Sequence, residues 1–396
     1  MNEILSKAEL EKFPRPIRGK SIITPKIMHF GPGAFFRSFV ASLIDDVNQK
    51  GVEKWGIIAV SLNSEDTFKK LASQDLVFNA LSMSGGKKKV QQVSSISDFF
   101  VAQKDTKSVL EALSDEKIEI LSLTITEKGY YYNSDKKELD FDNQNVIDDL
   151  GNPENPKTAV GFLVAGLNER YLNNKQPFTI LTCDNLPNNG AVVKKIVLDF
   201  AQKTNPCLAK WISKQVCFPS SMVDRITPAT KDSDIINFAN EYGVYDPALV
   251  IHEEFFQWVI EDKFCAGRPS WENVGAQFSD NVHGYEDQKI RILNGGHQIV
   301  ANAAELLGIE TIRDAMKNIL IRGFLEKVEQ TEILPHVSPV PGLTPQDYFK
   351  LICGRFANPS IQDTIRRVAF DGSSRHAVFL VPSIKFQLLD QYFDLF

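Results

Sequence analysis

At 396 residues, with 43% hydrophobic and 24% charged, the chain has ordinary globular composition and enough apolar mass for two domains with cores of their own. A net charge of −6, with no basic run longer than Lys87-Lys88-Lys89, argues against a nucleic-acid protein; those three lysines fit a solvated hairpin tip. The five scattered cysteines, Cys183, Cys207, Cys217, Cys265 and Cys353, suggest neither a disulfide framework nor a zinc site, and no apolar run nears membrane-spanning length. With the polar, acidic start Met1-Asn2-Glu3-Ile4, these features lead us to expect a cytoplasmic protein with no signal peptide and no membrane span.

Residues 1 to 25 read as a polar leader punctuated by Pro14, Pro16 and Pro25. A short apolar strand, Ile27-Met28-His29-Phe30, then runs into Gly31-Pro32-Gly33-Ala34-Phe35-Phe36-Arg37, after which Phe39, Leu43 and Ile44 follow at helical spacing. Strand, Gly-x-Gly turn and helix is the order that brings backbone amides and a helix amino terminus against a pyrophosphate. Gly31, Gly33, Ala34 and Phe35 are therefore cofactor-binding candidates. Phe36 occupies the place of the third glycine of that fingerprint, and a Gly-Pro-Gly turn by itself is more often only a turn.

A second strand, Trp55 to Leu62, ends in Asn63-Ser64-Glu65-Asp66, where an adenine ribose would be read. Glu65 and Asp66 would repel a 2′-phosphate and no Arg stands nearby, which favours NAD over NADP and makes Asn63 and Glu65 candidates. Equally, Ser64 is placed to cap the next helix, with Glu65 and Asp66 in its first turn. Further apolar strands, Ile118 to Thr126 and Phe178 to Asn185, alternate with helix-like segments such as Gly161 to Leu167. This βαβ rhythm predicts an α/β fold with a parallel Rossmann-type sheet covered on both faces, spanning residues 1–277. Glu127 and Asp184-Asn185 then sit at strand carboxyl ends, facing the ligand crevice.

From about residue 278 the pattern becomes mainly helical, and residues 278–396 are expected to form a substrate domain that closes over the nicotinamide end of the first. Gln298 to Leu307 and Ile319 to Val328 read as helices, while Pro335, Pro339, Pro341 and Pro345 mark a long irregular connection. The chemistry is expected in the stretch from Tyr285 to His297. If that stretch is a regular α-helix, its 3.6-residue period gathers Lys289, Glu286, His297 and Asn294 into a single sector, in that angular order. A partly desolvated lysine in such company can lose its proton and act as a base, while Asn294 and His297 donate to the substrate oxygen. An ordinary core helix, its Lys reaching the surface and its His bonded to a backbone carbonyl, carries the same pattern.

Six ordered blocks carry a resemblance. They are Gly31 to Phe35; Thr124 to Tyr130; Cys183-Asp184-Asn185-Leu186-Pro187 with Asn189-Gly190; Met222 to Pro228; Gln257 to Asp262; and Lys289 to His297. Over residues 26 to 384 the chain resembles the polyol-specific long-chain dehydrogenases, whose members act on mannitol, arabinitol, mannonate and altronate. The resemblance implies that Lys289 is the general base, that Asn185 and Asn294 stabilise the alkoxide, that His297 orients the reacting oxygen and that Glu286 relays the proton to water. It places Arg367 and Arg375 near substrate hydroxyls. Asp224 either contacts the substrate or fixes Lys289, and Arg225 is expected in a structural ion pair.

The expected activity is hydride transfer between an acyclic polyol, mannitol foremost, and NAD to give the 2-ketose, without a metal. The six histidines are dispersed, with no His-x-x-x-His pair. Mannonate with fructuronate is the second substrate pair, and a truncated, non-catalytic dinucleotide binder is the alternative of another class. A methyltransferase would leave Asn185 and the lysine helix without a role. The expected partner is a small polyol or sugar acid, with the chain a monomer or weak homodimer. Family members usually extend further at the carboxyl end, so the closing aromatics Tyr392, Phe393 and Phe396 are expected to be exposed or buried against a second copy.

Overall fold

Five short apolar strands pair in parallel: β1 (Pro25–Phe30), β2 (Gly56–Ser61), β3 (Ile96–Val101), β4 (Ile120–Leu123) and β5 (Thr179–Thr182). Their order is β3-β2-β1-β4-β5, the doubly wound arrangement in which ligands bind at the carboxyl ends where strand order reverses. Alternate side chains enter separate cores, as a strand buried on both faces requires: Met28, Phe30, Ile58, Val60, Leu121 and Leu123 on one side, and Ile27, Ile57, Ala59 and Ile120 on the other. The helix expected around Gly161 to Leu167 runs over Ala159–Leu172, capped by Thr158.

The structure is a computed structural model that describes residues 7–19, 23–51, 53–361 and 363–393. The expectations for Met1 to Ile4 and for the closing aromatic side chains lie outside the described residues. The chain divides into two units, Met1–Ser82 with Lys89–Asp280, and Met83–Lys88 with Asn281–Phe396. Two further three-stranded sheets occur. One joins Ser221–Asp224, Gln257–Ile260 and Gln277–Phe278, and the other joins Val250–Glu253, Phe78–Ser84 and Lys87–Val93. The second sheet and β3 were not anticipated. The hairpin tip is a two-residue turn, Gly85-Gly86, with φ of +54° and +83°, followed by the exposed Lys87, Lys88 and Lys89.

The second unit is helical around a core that includes Ile292, Val300, Ala304, Leu325, Ile352 and Phe356. The helix expected over Ile319 to Val328 has those bounds because the Asn318 side chain accepts from the Leu320 and Ile321 amides and fixes its start. Pro345 is not part of the irregular connection. It opens the helix Pro345–Phe356 behind a Thr344 cap, where a missing N–H costs nothing. The lysine stretch is not one α-helix either. Val282–Gln288 and Gly295–Leu306 are α-helical, but Lys289–Asn294 between them is a π-turn. The angular order expected above therefore does not hold. Hydrogen bonds from i to i+5 bring residues five apart to nearly the same side, so Lys289 and Asn294 lie closer in direction than an α-helix allows.

Candidate active site

In the first unit the glycine turn is held from below by a histidine. Gly31 has φ +93°, and a Cβ there would lie 2.0 Å from the Thr124 carbonyl oxygen, so only glycine lets β1 and β4 approach this closely. The Thr124 hydroxyl donates to the Gly31 carbonyl at 2.7 Å. Since that uses its proton, Nε2 of His29, 2.8 Å from the same hydroxyl, is the nitrogen that carries hydrogen, and Nδ1 accepts from Ser122 Oγ at 2.7 Å. Burial pushes the His29 imidazole down to about 3, so it stays neutral. Phe36 stacks on it at 3.8 Å, which explains an aromatic ring at the place of the third glycine. The Gly33 amide donates to the Gly31 carbonyl at 2.7 Å, which closes the turn, and Ala34 and Phe35 follow at the start of a continuous helical run, Ala34 to Lys50.

Beyond β2, Asn63 accepts a 2.6 Å hydrogen bond from Gln103. Glu65 pairs with Lys69 at 3.1 Å and with Lys104. Two lysines, rather than an arginine, thus stand beside this acid and are paired with it. The next helix, Asp66–Ala72, has Glu65 and not Ser64 at its cap position, although the Ser64 hydroxyl accepts from the Asp66 amide at 3.1 Å.

Glu127 opens a 3-10 turn, Glu127–Tyr130, behind Thr126 at φ +64°, a conformation that costs a β-branched residue about 1–3 kcal/mol. Asn185 is exposed just past β5. Asp224 is buried at the end of its strand, opposite Gln257. Arg225 donates to the carbonyls of Ser38 and of Phe255, the latter at 3.3 Å, and its guanidinium lies over the Phe256 ring at 5.0 Å.

In the second unit, Tyr285, Gln288 and Arg291 fasten the lysine helix to the irregular connection. Their side chains donate to the carbonyls of Pro341 at 3.0 Å, Ser338 at 3.0 Å and His336 at 2.6 Å. On the same run, Glu286, Lys289 and Asn294 keep only 9%, 7% and 8% of their surface exposed. Glu286 also lies 3.3 Å from His283 Nδ1, and His297 stacks on Phe356 at 4.1 Å. Arg367 is engaged by Asp363, with Nε to Oδ1 at 2.6 Å, and Arg375 donates to the Val368 carbonyl at 2.8 Å.

Sequence reasoning missed Glu329. This residue is fully buried beneath the lysine helix, its carboxyl oxygens have no hydrogen-bond partner among the described residues, and a Cβ on Gly296 would stand 3.1 Å from Oε1. Burial raises its carboxyl well above the usual range, and Arg291 opposes the shift only in part. The folded chain therefore keeps a proton that the unfolded chain has lost. Stability declines as pH rises above the ordinary carboxylate range, by about 1.4 kcal/mol per unit until the folded group ionises. Glu329→Gln removes this dependence. The melting temperature of the variant relative to the parent is expected to rise by several degrees between pH 5 and pH 8; a constant difference would show that Glu329 ionises normally.

The Mannitol dehydrogenase Rossmann domain model matches residues 25–273, and the Mannitol dehydrogenase C-terminal domain model matches residues 281–394. The chain belongs to the mannitol dehydrogenase family. It is 41% identical to mannitol 2-dehydrogenase of Cereibacter sphaeroides over 94% of its own length and 78% of the relative's. Against the enzyme of that name from Aspergillus oryzae it is 36% identical, over 97% and 78%. Among solved structures it superposes on the Pseudomonas fluorescens mannitol 2-dehydrogenase ternary complex with NAD and D-mannitol with a TM-score of 0.90, at 36% identity and covering 98% of this chain and 80% of that one. A substrate-free D-sorbitol dehydrogenase gives a TM-score of 0.87 at 33% identity, over 98% and 82%. The Rossmann-type sheet and the helical carboxyl-terminal region are those expected from the βαβ rhythm and the later helical pattern, and the class of NAD-dependent polyol dehydrogenase is the one the six sequence blocks implied. Among the described residues no group of His, Cys, Asp and Glu could hold a metal ion, and no helix is long and apolar enough to cross a membrane.

Proposed function

We propose that this polyol dehydrogenase interconverts mannitol and fructose, with Lys289 as the general base. Lys289 carries the reading: its side chain, with only 7% of the residue's surface exposed, shares a π-turn with Asn294. Gly31, Gly33, Ala34 and Phe35, with Asn63, Glu65 and Glu127, would hold NAD, which would supply the hydride acceptor. Lys289 takes the hydroxyl proton, Asn185 and Asn294 donate hydrogen bonds to the resulting alkoxide, His297 orients the oxygen and Glu286 passes the proton onward. Neutral donors stabilise the alkoxide without holding it too tightly to react. Asp224, Arg367 and Arg375 contact the substrate's remaining hydroxyls.

Mannitol is preferred over mannonate because the relatives reported above are mannitol 2-dehydrogenases and one of the two arginines proposed at the substrate, Arg367, is already paired with Asp363. With five unpaired cysteines, the protein suits a reducing cytoplasm, where it acts as a monomer or weak homodimer. The test is NADH formation from mannitol, arabinitol, sorbitol and mannonate, each with NAD and with NADP. Mannitol with NAD is expected to give the highest kcat/KM. Turnover of mannonate alone would overturn the substrate, and NADH binding without turnover of any polyol would favour a non-catalytic binder.

A further inference from the structure

Asp184, directly before Asn185, does more than end β5. Its Oδ2 accepts from the Ile125 amide at 2.8 Å and from the Tyr130 hydroxyl at 2.6 Å, and its Oδ1 accepts from the Thr126 amide at 3.1 Å. Its carbonyl accepts from Asn189 Nδ2 at 3.2 Å, and that buried side chain also donates to the Ser221 carbonyl at 2.7 Å. Tyr130 is itself held: having given its proton to Asp184, it accepts from the Thr182 hydroxyl at 2.5 Å. These bonds tie the end of β5 to the strained turn that carries Glu127, whose flanking residues Thr126 and Tyr131 have φ of +64° and +50°. An exposed carboxamide on an untethered loop would sample many orientations. Here the residue before it is bonded through both its side chain and its carbonyl.

We propose that Asp184 and Tyr130 are positioning residues, which hold the Asn185 carboxamide and the Glu127 turn in one fixed relation for the reaction. The proposal rests on the alkoxide-stabilising role given above to Asn185. Burial raises the Tyr130 phenol well above its usual range, so the donor to Asp184 persists across the working pH. Because a small misplacement of a reacting group costs far more rate than binding, the effect belongs in kcat.

The experiment measures mannitol oxidation and NADH affinity in Asp184→Asn, Tyr130→Phe, Asn185→Ala and the Asp184→Asn/Asn185→Ala double variant. Asp184→Asn is expected to lower kcat about tenfold to hundredfold, a larger effect than the weakening of NADH affinity that a loosened Glu127 turn would cause. Tyr130→Phe should lower kcat several-fold. In the double variant the losses should not multiply, because Asp184 acts through Asn185. A residue that only stabilised the fold would lower the melting temperature and leave kcat per folded enzyme unchanged. If Asn185→Ala is impaired but Asp184→Asn turns over normally, or if the two losses multiply, the positioning proposal is overturned alone. Full turnover in Asn185→Ala would overturn the role of Asn185 and this proposal with it. Should Asp184→Asn fail to fold, Tyr130→Phe, which removes one hydroxyl, decides: an unchanged kcat overturns the proposal.

Discussion

Replacing Lys289 with Ala is expected to lower polyol oxidation near neutral pH by about 10²- to 10⁴-fold, the range supplied by a positioned general base. Hydride departs readily from a carbinol carbon only as its oxygen becomes an alkoxide. Without an internal acceptor for that proton, hydroxide must take it, so the residual rate of the variant should climb with pH. NADH affinity, measured by fluorescence, should stay close to the parent's, because the proposed cofactor residues lie in the first unit. Lys289→Arg should not restore the rate, since a guanidinium does not give up its proton in the working range. Unchanged oxidation by Lys289→Ala would remove the lysine from the mechanism and leave the six-block family assignment standing.

Gly31→Ala is expected to damage both the fold and cofactor binding. The glycine adopts φ +93°, which costs an L side chain of the order of 1–3 kcal/mol, and the added Cβ would also sit 2.0 Å from the Thr124 carbonyl, which is backbone and cannot rotate away. To make room, β1 and β4 must separate at the crevice, and the His29, Thr124 and Gly31 hydrogen bonds go with them. Loss of about 3 kcal/mol in the bound state corresponds to roughly a hundredfold in NADH affinity, accompanied by a lower melting temperature. Gly33→Ala is the control for stability: Gly33 has φ −71°, and its nearest neighbour to a Cβ is 4.0 Å away, so its melting temperature should stay near the parent's. A Gly31→Ala protein with unaltered melting temperature and NADH affinity would show that the turn is not under this constraint.

The local pattern was enough to identify much of this protein. Continuous apolar strands separated by helical periods specify a parallel sheet, because a strand buried on both faces has no polar side to show. Gly31 and Gly33 after β1, Asn185 after β5 and the run from Lys289 to His297 stand out as candidates in the sequence because of their residue types and order. The helix from Ile319 was legible from its spacing, whereas the start at Ala159, ahead of the expected Gly161, is set by the Thr158 cap.

What the tertiary structure alone decided is geometry set by distant partners. The π-turn at Lys289–Asn294 cannot be read from a 3.6-residue period; Tyr285, Gln288 and Arg291 anchor that helix to carbonyls some 45 to 56 positions further along the chain. Asp184 and Tyr130 meet across 54 positions, His29 and Thr124 across 95, and Glu329 comes to lie beneath Gly296. Hydrogen bonds and burial between residues so far apart in sequence leave no periodic trace, so their energies, and the neutral states of His29 and Glu329, exist only once the chain has folded.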